Sequence, residues 1–187
     1  MGAFGCVWCV VATAAASAPA VEPGKPNAVT FPAEEARFVR FVIHASSRGQ
    51  PCIDELEVYG PDGKANLALA AGGAKASASS CLPGYAIHQV AHLNDGLYGN
   101  DHSWIAAGAA GEWAQIELPK PARVAKVVFS RDRNGRYADR VPVHFEVRLS
   151  VDGGQWRTVK EVKAAASQPP PPGRRPPAPP HPDQTAA

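Results

Sequence analysis

An all-β fold, a β-sandwich or jelly roll with a barrel as the alternative, is what the sequence predicts, and three observations carry that prediction. Between Phe31 and Lys163 nearly every segment alternates apolar with polar residues or is rich in β-branched and aromatic side chains. Turn residues separate these segments at short intervals. The only helical candidate, residues 87–93, is too short to stand alone. About eight short antiparallel strands in a chain of this size bury their apolar faces most economically as two packed layers.

The expected strands run in order through residues 37–44, 53–59, 66–69, 75–79, 113–118, 124–130, 143–150 and 156–162. In the seventh, Val143, Phe145, Val147 and Leu149 share one face and His144, Glu146 and Arg148 the other, so the first set is core. In the second, Leu56 and Val58 keep step but Ile53 is out of phase with them. A bulge at Asp54 or Glu55 restores Ile53 to the interior and turns a carboxylate aside, a device common near functional loops. Trp104 and Trp113 are assigned to the core and Trp156 to its edge.

With 187 residues, 45% of them hydrophobic, the chain has length for one domain of common size plus flanking segments. Nineteen basic residues against 17 acidic ones give a formal net charge of +2. That leaves no sustained basic surface, which excludes nucleic acid as the expected partner. Residues 1–20 resemble a secretory signal peptide: an uncharged apolar run through Phe4, Val7, Trp8 and Val11 ends in Ala16-Ser17-Ala18-Pro19-Ala20, with cleavage after Ala20 favoured over cleavage before Pro19. The run is too short to span a bilayer, so no membrane span is expected after cleavage, and the location is secreted, periplasmic or otherwise extracytoplasmic. The C-x-x-C of Cys6 and Cys9 falls inside this run, without the βαβ context of a redox pair. Residues 21–32 read as a linker and 33–163 as the body. Residues 164–187, with Pro169-Pro170-Pro171-Pro172 and two further proline pairs, form an extended Pro-rich tail or linker.

Two loops carry the chemistry. Leu93-Asn94-Asp95-Gly96-Leu97-Tyr98-Gly99-Asn100-Asp101-His102-Ser103-Trp104 combines oxygen donors with glycines that let backbone carbonyls turn inward. That composition suits a hard cation such as calcium, and it also suits an ordinary Asx-rich turn. Residues 131–140 hold four arginines and a tyrosine. Arg131, Arg133, Asn134, Arg136 and Tyr137 supply the planar donors and the aromatic face that a sugar needs, whereas Arg131 with Asp132 and Arg140 with Asp139 can equally be solvated loop charges. Tyr85, His88 and His102 are further ligand candidates on neighbouring loops. His88 and His92, four apart, are the spacing of a shared zinc face, but no further ligand at the right spacing joins them and structural histidines are the expectation. No Gly-x-Ser-x-Gly elbow occurs, and no enzyme is expected.

Taken together, these pieces resemble the discoidin, or coagulation factor 5/8 type C, domain, which overlaps carbohydrate-binding module family 32. The resemblance rests on Asn66-Leu67-Ala68-Leu69 with Ala76-Ser77-Ala78-Ser79-Ser80, Leu93-Asn94-Asp95-Gly96 leading to Trp104, and Glu112-Trp113-Ala114-Gln115-Ile116-Glu117-Leu118. Val124-Ala125-Lys126-Val127-Val128-Phe129, Val147 to Trp156, Ala36 to Phe41 and Glu55 to Gly60 complete it. In the family the last two segments close the domain, whereas here they come first. One circularly permuted domain explains that order more economically than a repeat fragment followed by a headless repeat.

The resemblance implies a galactose-binding-like jelly-roll β-sandwich without catalysis of its own, a structural calcium, and a ligand patch on loops at one end. Asp95 matches the Asp of the family's calcium loop and Glu55 its late-strand Glu. Asn100, Asp101 or Ser103 takes the place of the family's Thr, the loop being about two residues longer than the usual pattern. The implied function is a secreted, non-catalytic module that attaches to carbohydrate as part of a larger assembly. The alternative is a structural or protein-contact module on the same fold. A Cys52–Cys81 disulfide is implied too, because the permuted order puts their strands at the old domain terminus, where family members often carry a bridge, in an oxidising compartment.

Overall fold

The computed structural model describes residues 20–164. Its strands are β1 (Asn27–Ser46), β2 (Cys52–Ile53), β3 (Glu55–Tyr59), β4 (Lys75–Ala78), β5 (Trp104–Ile105), β6 (Glu112–Ser130), β7 (Pro142–Ser150) and β8 (Arg157–Lys163). Two short 3-10 turns, Ala70–Gly72 and Val90–Asn94, lie between them. One antiparallel ladder runs β3-β6-β1-β7-β8 with β4 also on β6, and β2 pairs with β5.

The length of β1 and β6 makes this ladder a sandwich. The second half of β1 pairs with the first half of β6, Phe41 opposite Ala114, and the first half of β1 pairs with the second half of β6, Asn27 opposite Phe129. Between the halves the register shifts twice, at Thr30/Glu34 and Ala36/Phe38. Pro32 on one strand and Pro119 and Pro121 on the other sit at this interruption, where no ladder donor is needed. A straight strand would carry Phe129 roughly 50 Å from Ala114. Yet the Phe41 and Phe129 ring centroids are 4.8 Å apart, so the ladder folds over and its two halves face each other. Phe145 of β7 closes the trio at 4.5 Å from Phe41 and 5.1 Å from Phe129. The fold is an all-β, galactose-binding-like jelly-roll sandwich.

Alternation gives β7 its faces as expected: Phe145, Val147 and Leu149 are buried, Val143 partly so. β1 starts at Asn27, well ahead of residue 37, and the strands expected at 113–118 and 124–130 are one bent strand. Residues 66–69 form no strand. Asn66 Oδ1 instead accepts from the N–H groups of Val58 (3.1 Å) and Ala68 (3.0 Å), the local side-chain bonding that competes with a ladder. Trp104 is fully buried, but Trp113 is not core. Ala114, Ile116 and Leu118 of β6 point inward, which turns Trp113 outward, where the Arg40 guanidinium is held between Trp113 (4.4 Å) and Trp156 (4.0 Å).

β1 occupies the middle of the ladder, bonded to β6 on one side and β7 on the other. The chain changes partner at Asp54: Ile53 pairs with Trp104 of β5, and Glu55 with Ser130 of β6. Residues 53–58 are therefore buried on both faces, and three carboxylates, Asp54, Glu55 and Glu57, are carried into the interior at the end where the loops gather.

Candidate functional site

Two buried aspartates build the loop end. Asp54 accepts from the N–H of Gly99 (3.0 Å), from the N–H of Arg133 (2.7 Å) and from the Ser130 hydroxyl, tying the junction of β2 and β3 to both chemistry-bearing loops. Asp132 accepts from the N–H groups of Asn134 (3.2 Å), Arg136 (3.1 Å) and Tyr137 (2.9 Å), winding residues 132–137 around one carboxylate. Their charges are met by backbone donors, the strong form of such bonds. Gly99 sits where the two loops touch. Its φ is 100°, a conformation strained for any residue with a Cβ, and a Cβ there would also displace the Asn134 side chain, so glycine is the residue that suits it.

This arrangement divides the ligand candidates. Arg131 is 2% exposed and used internally: its Nε donates to Asp139 O (2.9 Å), its Nη2 to Asp139 Oδ1 (3.1 Å) and its Nη1 to Asn100 Oδ1 (3.1 Å). Arg133 donates from Nε to Ser130 Oγ (2.7 Å), places Nη2 3.0 Å from Glu57 Oε1 and covers the Tyr98 ring at 4.1 Å. Asn134, Arg136 and Tyr137 remain on the surface, Tyr137 with 41% of its area exposed. Asn100, Asp101, Asp132, Asn134 and Arg136 line a hollow of about 30 Å³. That holds one hydroxyl or water, not a sugar ring. A larger hollow, about 360 Å³, lies elsewhere, between residues 20–30 and Phe129, Phe145 and Val162.

Of the neighbouring candidates, Tyr85 is exposed, whereas His88 is buried with Nδ1 2.9 Å from Ser103 Oγ. Burial, then the nearby Arg131 and Arg140, push the His88 imidazole below its usual range, so it is a neutral structural group. His102 is half-buried beside Asp95, its Nδ1 3.3 Å from Asp95 Oδ2. Tyr98, exposed and donating its hydroxyl to Glu57 Oε1 at 3.1 Å, also faces this region. Only its place in the Asp95 loop pointed to it in the sequence. Asp132 was legible as a turn former in Asp132-Arg133-Asn134-Gly135, but its burial was not.

The expected metal residues fall in two groups. Glu55 Oε2 accepts from the Gly96 N–H at 3.3 Å, which brings β3 against the Asp95 turn; Asp95 Oδ1 caps that turn by accepting from Leu97 N–H at 2.8 Å. Asn100 and Ser103 lie on the other side: Asn100 Oδ1 is engaged by Arg131, and the Ser103 hydroxyl donates to Asn100 O at 2.8 Å and meets His88. Glu55 Oε1 is buried with no hydrogen-bond partner. Burial above all, opposed by the Gly96 bond and reinforced by Asp95, Glu57 and Asp54, pushes its carboxyl up to about 8. A partnerless buried carboxylate oxygen among other acids fits a hard, oxygen-seeking cation such as calcium.

The expected Cys52–Cys81 disulfide is not formed: both cysteines are free. Each thiol is turned to its own carbonyl, Cys52 Sγ 4.0 Å from Arg131 O and Cys81 Sγ 3.2 Å from His88 O. Burial pushes the Cys52 thiol up to about 11, so it is an inert interior group.

No helix among the described residues is long and apolar enough to cross a membrane. No curated protein and no solved structure matches the chain. A family model described as the F5/8 type C domain matches residues 75–174, more than half of the sequence. The match begins at β4, so β1 and β3 lie ahead of it while pairing with β6 inside it. Domains of this kind are generally binding modules without catalysis, typically extracellular, that take carbohydrates or proteins, and by this match the chain belongs to the F5/8 type C, or discoidin, family.

Proposed function

We infer that this protein is a secreted, non-catalytic module that attaches to carbohydrate through the loop end of the sandwich. The observation that carries the reading is the surface made by Asn134, Arg136 and Tyr137, held in shape by Asp132 and flanked by the hollow beside Asn100 and Asp101. A sugar ring lies against the exposed Tyr137 face while one hydroxyl enters the hollow, where an amide, a guanidinium and a carboxylate supply donors and acceptors. Tyr85 and His102, on neighbouring loops, are further candidate contacts. Screening the protein on a glycan array, then titrating the best hit, tests it. Tyr137→Ala and Arg136→Ala each weaken binding at least about tenfold while the fold is kept, since Arg136 is exposed and Tyr137 gives up only its ring contact with Arg131 at 5.2 Å. An array without hits, or variants that bind as the parent does, removes this reading.

A protein-contact module is the second reading. The internal use of Arg131, Arg133 and Arg140 favours it, because three of the loop's four arginines serve the fold and not a ligand.

A structural calcium belongs to the same proposal. Glu55, with Asp95 and carbonyls of its turn, would hold the ion, which supplies the positive charge that Glu55 Oε1 lacks. Calcium then raises the melting point in proportion to occupancy, and a chelator reverses it. Glu55→Gln abolishes that shift; a calcium shift that survives Glu55→Gln places the ion elsewhere. The reversed order of the family's segments is, on this reading, one circular permutation that leaves β1 and β3 in their family places.

A further inference from the structure

His92 lies in the 3-10 turn Val90–Asn94, Asp95 follows that turn, and His102 stands where the loop returns to β5. Gly96, at φ 80°, folds the loop back, and Asp95 is held there by the Leu97 N–H. As a result one ligand atom from each of His92, Asp95 and His102 lies within 4.8 Å of the other two. The His92 and His102 rings are 5.2 Å apart at 56°, tilted toward each other and not stacked.

The tautomer of His92 is fixed. Its Nδ1 lies 3.1 Å from Ile87 O, and a carbonyl only accepts, so Nδ1 donates there and Nε2 is the ring atom left for a metal. That backbone contact behind the ring is the support that metal-ligating histidines generally have. The three residues are half-buried, which leaves their side chains room to turn and an ion a path in.

We propose that His92, Asp95 and His102 bind one divalent transition-metal ion of the zinc class. Two imidazoles and a carboxylate form a borderline donor set that suits zinc and not calcium, whose ligands are all oxygen. Tetrahedral bonds of about 2.0 to 2.1 Å set ligand atoms roughly 3.4 Å apart, so side-chain rotation of about an ångström completes the site. The fourth position is open to water or to a donor from a bound molecule. The ion clamps the 3-10 turn to the loop that carries Asn100 and Asp101, and so fixes one wall of the hollow. Asp95 is common to this site and the calcium reading, but Glu55 and the histidines are not, and variants at those positions separate the two.

Calorimetric titration of the full chain with zinc, with calcium removed by dialysis, tests the site. Because Cys6, Cys9, Cys81, His44, His144 and His181 are further zinc donors in the sequence, the readout is the difference between parent and variant. His92→Ala and His102→Ala each remove one equivalent or weaken it at least about tenfold, and each keeps the calcium shift in melting point. Glu55→Gln loses the calcium shift and keeps the zinc equivalent. Nitrogen-detected NMR of the histidine rings is the second measurement, in which one equivalent of zinc moves the His92 and His102 signals together. A zinc isotherm unchanged by both substitutions, or ring signals of His92 and His102 that zinc leaves in place, overturns the proposal.

Discussion

Single residues in this sandwich are decided by what they are paired with. Glu146 sits on the outer face of β7 and accepts from Arg148 Nε (2.8 Å) and Thr158 Oγ1 (2.8 Å), with His44 Nε2 at 2.8 Å from its other oxygen. The Arg148 bond first, then those of Thr158 and His44, hold its carboxyl at about 2 against the opposing effect of burial. A folded value below the unfolded one means the folded chain holds fewer protons here. The stability this contributes is therefore complete above about pH 4.5 and lost as pH falls through about 2. Glu146→Gln should cost about 1 kcal/mol at pH 7 after solvent screening, and clearly less at pH 2, where about half of the folded carboxyl is protonated. Denaturant melts at the two pH values check it, and an equal cost at both would show that the charge is not responsible. The same principle separates the loop arginines. Arg131 and Arg133 have the chemistry of ligand contacts but are consumed by Asp139, Asn100 and Glu57, whereas Arg136 is left at the surface.

Among elements, the passage from β2 to β3 has the widest influence. Two residues of β2 pair with β5, and at Asp54 the chain crosses to β6, so a carboxylate that alternation would place on a face becomes the anchor of two loops. The sequence contained the clue, since Ile53 falls out of phase with Leu56 and Val58, and an irregularity at Asp54 or Glu55 follows from that alone. What Asp54 binds did not follow, because Gly99, Ser130 and Arg133 are 45 to 79 positions away along the chain. Asp54→Ala leaves two backbone N–H groups and a hydroxyl without their acceptor, at a cost of about 2 to 3 kcal/mol. Beyond the lost stability, amide exchange should quicken in residues 97–101 and 132–137 together. Faster exchange in only one loop would show that Asp54 does not couple them.

For the whole molecule, the long bent strands decide whether one unit or two is present. β1 contributes Val39, Phe41 and Ile43 to the core and lies between β6 and β7, so it cannot be an appendage to a sandwich formed by the family-matched residues alone. A chain beginning at Asn66 should fail to fold, with no cooperative thermal transition and collapsed amide dispersion in NMR spectra. If it melts cooperatively near the full protein's midpoint, β1 and β3 are dispensable and the permuted reading falls. The period-two alternation of Phe145, Val147 and Leu149, the short strands between turn residues, the family resemblance and the closeness of Glu55 to the Asp95 turn were all determined by the sequence by itself. Each depends on neighbours in the chain or on motifs read whole. Only the tertiary structure decided that Trp113 faces outward, that the Cys52 and Cys81 thiols are turned to separate carbonyls, that Arg131 is interior and Tyr137 exposed, and that His92 meets His102 and Asp95, not His88. Side-chain partners of this kind are set by strand register and by where bent strands bring distant loops together, and the local pattern of residues carries no record of either.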